Sequence, residues 1–433
     1  MQSILEHFKT ISAIPRCSFD AVAMKEYIVA FAQSCGFKAT EDSAGNVLCL
    51  KGSPKICLQA HYDMVCIGKT DTIELIHEGI LLKAAHSTLG ADNGMGMAIM
   101  FAMMQTQSDL ECLFTADEEV GLIGASHFRL PLHAAYLLNL DSEEEGEICI
   151  GCAGGVDIIA THSLHVKPFE KNMALYEVSA EGFLGGHSGV DIDKHIPSAI
   201  KVLARELLAH PSCKLVHFEG GDRRNAIAKG AKAIVASSAS LELSDKRLHV
   251  RKITDTEYEG YVEESYVIIG ALAGFAQGIR DWDRVLDIPL VSINLGLVRM
   301  ENQRIRLDCA ARAMDDENLA ILADETQAFF ATLGFDVVKE SWHGAWKPNA
   351  GAFAQSVKAI MQESYADVRF QAIHAGLECG ELIAHQANKI EVISIGPTIR
   401  YPHSLREECD MDSVGRMHVI VEKIIKEVQH VTR

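Results

Sequence analysis

In "LFTADEEVGLIGA" three carboxylates, Asp117, Glu118 and Glu119, follow directly on an apolar run of strand length. A solvated loop is the commonest setting for such a run of charge, and a strongly positive neighbour is the alternative. Other acids and an imidazole stand in the same relation to apolar runs: His61 and Asp63 after "KICLQA", and Asp141 after "AAYLLNL". Asp92, in "LGADNGMGMA", opens a helical stretch, where an Asp can be an N-cap, a ligand, or both. Imidazole with carboxylate suits zinc, manganese or cobalt, and two such ions need about four to six side-chain ligands with one carboxylate shared. Two dications, three ligating carboxylates and one hydroxide sum to zero charge, which gives the acidic cluster a physical reason. A His two residues before an Asp on one strand shares its face, so Asp63 can accept the second ring N–H of His61.

These side chains need elements to hold them. "KICLQA", "LECLFTA" and "AAYLLNL" are short apolar runs separated by the helical stretch "NGMGMAIMFAMMQT" and by Gly-rich turns. That pattern predicts an α/β domain with a largely parallel sheet buried on both faces. Ligands of such a sheet collect beyond the carboxyl ends of its strands, where His61, Asp63, Glu118, Glu119 and Asp141 fall. "DAVAMKEYIVAFAQSCGF" reads as a helix stopping at Gly36. From about residue 157 the texture changes. "MALYEVSAEGF", "KAIVASSASLEL" and "LVSINLGLVRM" alternate like half-exposed antiparallel strands, and "IPSAIKVLARELLAH" reads as a helix with Pro197 near its start. After "HGAWKPNAG" the buried-strand pattern returns in "VRFQAIHAG" and "KIEVISIGP", followed by an amphipathic helix through "SVGRMHVIVEKIIKEVQH". The expectation is a first domain made of residues 1–156 and 346–433, interrupted by an α+β domain at 157–345.

A chain of 433 residues exceeds what one hydrophobic core usually supports, and 48% hydrophobic residues supply two. The formal net charge of -19 argues against nucleic acid and against an anionic membrane as partners. Twelve cysteines show no repeated spacing, and Cys49, Cys57 and Cys112 sit inside apolar stretches, a reduced, cytosolic usage. "CIGC" at 149–152 has redox-motif spacing but reads as two ordinary buried thiols. Glu6, His7 and Lys9 interrupt what would be a signal peptide's apolar core, and no apolar run has membrane-spanning length. A soluble, cytoplasmic protein is expected.

Seven blocks, "AHYDMV", "LGADNGMGMA", "TADEEVGLIGA", "NLDSEEEGEICIGCAGG", "GFLGGHSGVDI", "AIHAGLECG" and "SIGPTIRYPHS", resemble those of the M20 metallopeptidases, specifically the aminoacyl-histidine dipeptidase branch. One block alone is weak; seven in family order from about residue 60 to 404 are not. The resemblance implies a zinc-peptidase-type catalytic domain with an inserted lid that also forms a homodimer. It implies two divalent ions per subunit, zinc first, with manganese or cobalt as alternatives. His61 and Asp141 would hold one ion, Glu119 and His403 the other, and Asp92 both. Glu118 would be the general base, taking a proton from the bridging water and passing it to the leaving amine. Asp63 would orient His61, and His187 in "GGHSG" would donate to the oxyanion. Asn225 in "GGDRRNAIA" and Arg312 in "CAARAMDD" would hold the substrate, Arg312 through its terminal carboxylate. Alone, His187 would read as structural and either of the others as surface. Glu378, grouped with Asn225 and Arg312 as substrate-binding, and Cys379 belong to a block that lines the pocket, neither with a derivable role.

The implied activity is a cytosolic dipeptidase acting on small peptides, Xaa-His dipeptides among them. The alternatives are a deacylase of N-acyl amino acids and a non-catalytic binding protein on the same fold; loss of a ligand or the base would mark the latter, and all six are present. Three departures bear on substrate preference: Ala313, Met314 and Asp315 replace a Ser-rich stretch, "HSLREECD" replaces a run through Pro-Asp-Glu, and the lid is short.

Overall fold

In the computed structural model, which describes residues 2–254 and 258–430, the apolar runs become the strands Ile56–His61, Leu110–Thr115, Tyr136–Asn139 and Glu391–Ser394. All four run parallel, and the register sets His61 opposite Thr115, Gln59 opposite Asn139 and Ser394 opposite Asn139. The 56–61 and 110–115 strands are buried at every position, which is why they read as unbroken apolar runs rather than as an alternation. Antiparallel strands flank this centre: Val47–Lys51 pairs with 110–115 and Lys38–Glu41 lies beyond it, while Glu147–Cys152 pairs with 391–394.

Helix Ala91–Thr106 is buried at every residue from Met95 to Met104, because it lies between this sheet and helix Gln2–Ser12. The later helix Met411–His430 is amphipathic instead. It buries Val414, Met417, Val421, Ile424, Ile425 and Val428 at helical spacing and leaves the Lys426–Glu422 pair outside.

These elements belong to one compact unit, residues 1–152, 346–372 and 376–433; residues 153–345 with 373–375 form a second. The second unit is built on an antiparallel sheet. Among the described residues its main path runs Leu248–Ile253, Ala174–Ala180, Ala231–Ser237, Lys214–Gly220, Ile288–Glu301, Arg304–Ala313, Gly154–Ser163, Asp336–His343. Helices Ala199–Leu208, Ser265–Gly274 and Asp316–Thr332 contribute Leu203, Leu272 and Phe330 to its separate core. One of the sequence departures acquires a role here: Asp315 is the N-cap of helix 316–332, its carboxylate accepting the Asn318 N–H.

The expectation of twelve reduced cysteines fails for one pair. Cys17 and Cys66 are joined by a disulfide across 49 residues, while Cys149, Cys152 and the other eight are free. The bond links two loops that only the fold brings together, so no spacing rule could have found it. No helix among the described residues is long and apolar enough to cross a membrane.

Candidate metal centre

Three adjacent strand ends deliver most of the site. His61 ends the 56–61 strand, Glu118 and Glu119 follow the 110–115 strand, and Asp141 follows 136–139. The turn after Thr115 is shaped by Asp117, whose φ is +50° and whose carboxylate accepts the Phe19 N–H at 2.6 Å. Within the same turn the N–H groups of Glu118 and Glu119 donate to Asp63, at 3.0 and 3.3 Å. Asp63 is wholly buried, takes a further hydrogen bond from Ser18 Oγ at 2.7 Å, and lies 3.4 Å from His61 Nδ1.

Asp92 comes from the start of helix 91–106, yet it does not cap that helix. Glu407 does: its carboxylate accepts the backbone N–H groups of Leu89, Gly90 and Ala91 at 2.9, 3.0 and 2.8 Å, with Asp92 N at 3.4 Å. The Asp92–Asn93 peptide is cis. Relieved of capping, the Asp92 side chain sets Oδ1 3.0 Å from His61 Nε2 and Oδ2 2.9 Å from His403 Nε2. Asp141 Oδ1 approaches His61 Nε2 to 3.3 Å, and Glu119 Oε2 approaches His403 Nε2 to 2.9 Å. A Glu118 oxygen falls within 4.8 Å of ligand atoms on His61 and Glu119. Glu378 is wholly buried and accepts hydrogen bonds from Gln59 at 2.6 Å and Thr115 at 2.7 Å.

So much acid in so little water perturbs several of these groups. Burial opposes charge on His61, but Asp141, Asp63 and Asp92 outweigh it and raise its pKa well above the ordinary value. Hydrogen bonds to Asp92 and Glu119 push His403 up to about 11. Burial works against an ionised Asp92 too, yet His403 and His61 hold it well below the usual carboxylate range. Burial raises Asp141 to about 6, Glu378 to about 8, and Glu118 well above the carboxylate range, Asp141 and Glu119 adding like charge at Glu118.

In the second unit His187, Asn225 and Arg312 also come together. The two-residue strand Gly186–His187 pairs with Ala226–Ile227, and the Asn225 carbonyl accepts the Ser188 N–H at 2.9 Å. His187 Nδ1 accepts the N–H groups of Gly189 and Val190, each at 3.2 Å, so in the neutral ring the proton is on Nε2. Burial, then the Arg312 charge, lowers the His187 pKa and favours that neutral form. Gly189 has to be glycine: a Cβ there would lie 2.4 Å from the His374 carbonyl oxygen and 3.2 Å from both Arg312 Nε and the His187 ring.

A family model described as Peptidase family M28 matches residues 47–156. The structure of an aminoacylhistidine dipeptidase from Vibrio alginolyticus superposes with a TM-score of 0.84 at 27% identity, covering 100% of this chain and 97% of that one. The cytosol non-specific dipeptidase of Escherichia coli strain K12 is 31% identical over 479 aligned positions, covering 99% of this chain and 98% of the relative. The chain belongs to the M20 metallopeptidase family, in its aminoacyl-histidine dipeptidase branch. An aminopeptidase from Bacillus cereus shares the M20 chain's fold at 15% identity, with a TM-score of 0.61 over 99% of this chain and 98% of that one. The M28 match is confined to the stretch that carries His61, Asp63, Asp92, Glu118, Glu119 and Asp141.

An M20 metallopeptidase requires metal, and the residues fit one. Ligands about 2.1 Å from a tetrahedral ion lie about 3.4 Å apart, and each imidazole nitrogen, of His61 and of His403, lies 2.9 to 3.3 Å from its two carboxylates. Glu119 Oε1 is buried without a hydrogen-bond partner, a vacancy of charge that a cation answers. Among the described residues, both triads also emerge as groups able to hold an ion. Sequence reasoning missed the residues behind this M20 site. Arg16, Ser18 and Glu407 act on it through backbone groups or through Asp63; Glu407 stands four residues after His403, inside the stretch read only as a departure.

Proposed function

We propose that this chain is a two-metal dipeptidase of the cytoplasm, cleaving the peptide bond of small peptides, Xaa-His dipeptides among them. One observation carries the reading: the two oxygens of Asp92 face two different imidazoles, His61 and His403, each completed by a further carboxylate, Asp141 or Glu119. The names of the Escherichia coli and Vibrio alginolyticus relatives, both dipeptidases, support it.

In this reading His61 and Asp141 hold one divalent ion, Glu119 and His403 the other, and Asp92 both, with zinc the best match to two imidazoles and three carboxylates. Bound ions of this kind acidify water and polarise a carbonyl. Asp63 keeps His61 in position from its Nδ1 side and steadies the turn that carries Glu118 and Glu119. Glu118 is the general base: a carboxylate oxygen of Glu118 stands within reach of the ligand atoms of His61 and Glu119, from where it takes a proton from water and delivers it to the departing amine nitrogen. Glu378 has no exposed surface, so it serves from beneath, bracing Gln59 and Thr115 at the strand ends.

The second unit is the lid and the dimerisation domain of this reading. His187 offers Nε2–H to the oxygen that becomes negative as the carbonyl is attacked. Arg312 grips the terminal carboxylate of the peptide with two parallel hydrogen bonds, and Asn225 assists. Metal analysis of the purified chain, followed by a screen of dipeptides, tripeptides and N-acyl amino acids, tests the proposal. About two divalent ions per chain and fastest release from dipeptides are expected; a metal-free chain, or one inert to every dipeptide, defeats it.

A further inference from the structure

Two loops outside any helix or long strand meet over Asp63. The first lies between helices Gln2–Ser12 and Val22–Ser34, the second follows the 56–61 strand. Most of their contacts fall on the stretch 62–66. Arg16, whose guanidinium is buried, donates to the carbonyls of Tyr62 and Asp63 at 3.2 and 2.8 Å and to that of Gly90. The Met64 N–H returns a hydrogen bond to the Arg16 carbonyl at 3.0 Å. Ser18 Oγ reaches Asp63 Oδ2 at 2.7 Å, and the Phe19 N–H reaches Asp117 at 2.6 Å. Cys17 stands between Arg16 and Ser18, and its bond to Cys66 ties the two loops covalently.

We propose that the Cys17–Cys66 disulfide is a redox-sensitive staple, and that through it Ser18 is a positioning residue for Asp63 and hence for His61, Glu118 and Glu119. The proposal rests on the metal-centre reading above. Four hydrogen bonds join the two loops, from Arg16 to the Tyr62 and Asp63 carbonyls, from the Met64 N–H to the Arg16 carbonyl and from Ser18 to Asp63, and the covalent tie further confines the Ser18 hydroxyl near the carboxylate that braces both the imidazole and the glutamate turn. Both sulfurs belong to partly exposed residues, whereas nearly all the free cysteines are buried, so exchange is directed to this pair. A small dithiol supplies the reductant. Its thiolate attacks one sulfur, the S–S bond breaks, its second thiolate closes the reductant's own disulfide, and Cys17 and Cys66 are released as two thiols. The protein gains two electrons and two protons, and a low-molecular-weight disulfide reverses the exchange.

The staple is tested on the intact chain. Thiol titration of unreduced, denatured protein should find ten groups and find twelve after reduction, the other ten cysteines being free. Reduction, with the free metal held constant, should speed amide exchange at Glu118 and Glu119. It should also lower zinc affinity against a competing chelator, and kcat, each on the order of tenfold, the size seen for partners behind a metal ligand. A Cys17→Ser, Cys66→Ser chain should sit in that weakened state and ignore the dithiol. Ser18→Ala should reproduce it without adding to the double cysteine change, and Ser18→Thr should restore it. Twelve thiols without reduction would overturn the staple. So would unchanged exchange at Glu118 and Glu119 after confirmed reduction, or full additivity of Ser18→Ala with the cysteine changes. Thiol counts do not depend on metal or turnover, and amide exchange can be compared in metal-free protein before and after reduction, so failure of the dipeptidase reading is told apart from failure of the staple.

Discussion

The Asp92 carboxylate and the His403 ring nitrogen lie 2.9 Å apart across 311 residues of chain. The opposite oxygen of Asp92 meets His61. Replacing Asp92 by Ala should therefore remove both ions and all measurable turnover together, while Asp141→Ala should weaken only the ion shared with His61. Metal counts after gel filtration check this; two ions retained by the Asp92 variant would refute the shared carboxylate.

Glu118→Gln keeps the shape of the turn and removes the proton acceptor. Metal content should be unchanged and kcat lower by about 10²–10⁴, the usual share of a general base. Turnover near that of the parent would move the base elsewhere.

Much of this geometry was legible because the relevant strands are buried on both faces and end where the acids begin. His61, Glu118, Glu119 and Asp141 could be grouped from that alone, Asp92 joined them as the opening residue of the following helix, and the family blocks added His403. Asp117 was legible only as a turn residue, and its contact with the Phe19 N–H, a tie between loops, was not. Glu407 and Arg16 were invisible for a related reason, since both act on backbone groups far away in sequence and no side-chain pattern marks such contacts. The Cys17–Cys66 bond joins segments whose proximity depends on the finished fold.

Substrate length tests the second unit. If Arg312 grips the terminal carboxylate, a dipeptide should be cleaved far faster than its amide or the corresponding tripeptide. Equal rates on a dipeptide and its amide would remove the clamp, and a strong preference for N-acetyl amino acids would favour a deacylase.

His187→Ala should keep both ions and cost on the order of 10² in turnover, the size of one oxyanion donor, with KM nearly unchanged. If the histidine serves a neighbouring subunit, mixing this variant with Glu118→Gln should restore part of the activity through hybrid dimers. A mixture as inactive as its parts, with subunit exchange verified, would confine the histidine to its own chain or exclude it.

His374 gives the second unit an acid limit. Its Nε2 lies 2.7 Å from Ser292 Oγ, and burial, then the Arg312 charge, lowers its pKa to about 3. The unfolded chain, with a histidine pKa of about 6.5, binds more protons between that value and the folded one. Stability should therefore be complete above about pH 6.5 and fall as the pH drops, by up to about 1.4 kcal/mol per unit. His374→Asn should flatten this limb in thermal unfolding between pH 6.5 and 4.5; an unchanged slope would assign the acid loss to other groups.

The strand Glu391–Ser394 lies between 136–139 and 147–152 although hundreds of residues separate it from them in the chain. During synthesis the ribosome releases the whole of 153–345 before that strand exists, a delay of roughly 10–50 s at ordinary translation rates. Through that interval the nascent sheet has a seam in its interior, with an apolar strand edge on each side open to any passing β-strand. His403 emerges later still, so the four acids and one imidazole already made carry their mutual repulsion with one of the five proposed ligands missing. Closing the seam and completing the cage are thus consecutive late steps of translation, and a ribosome stalled between residues 152 and 390 should present an aggregation-prone chain unless a chaperone covers the gap.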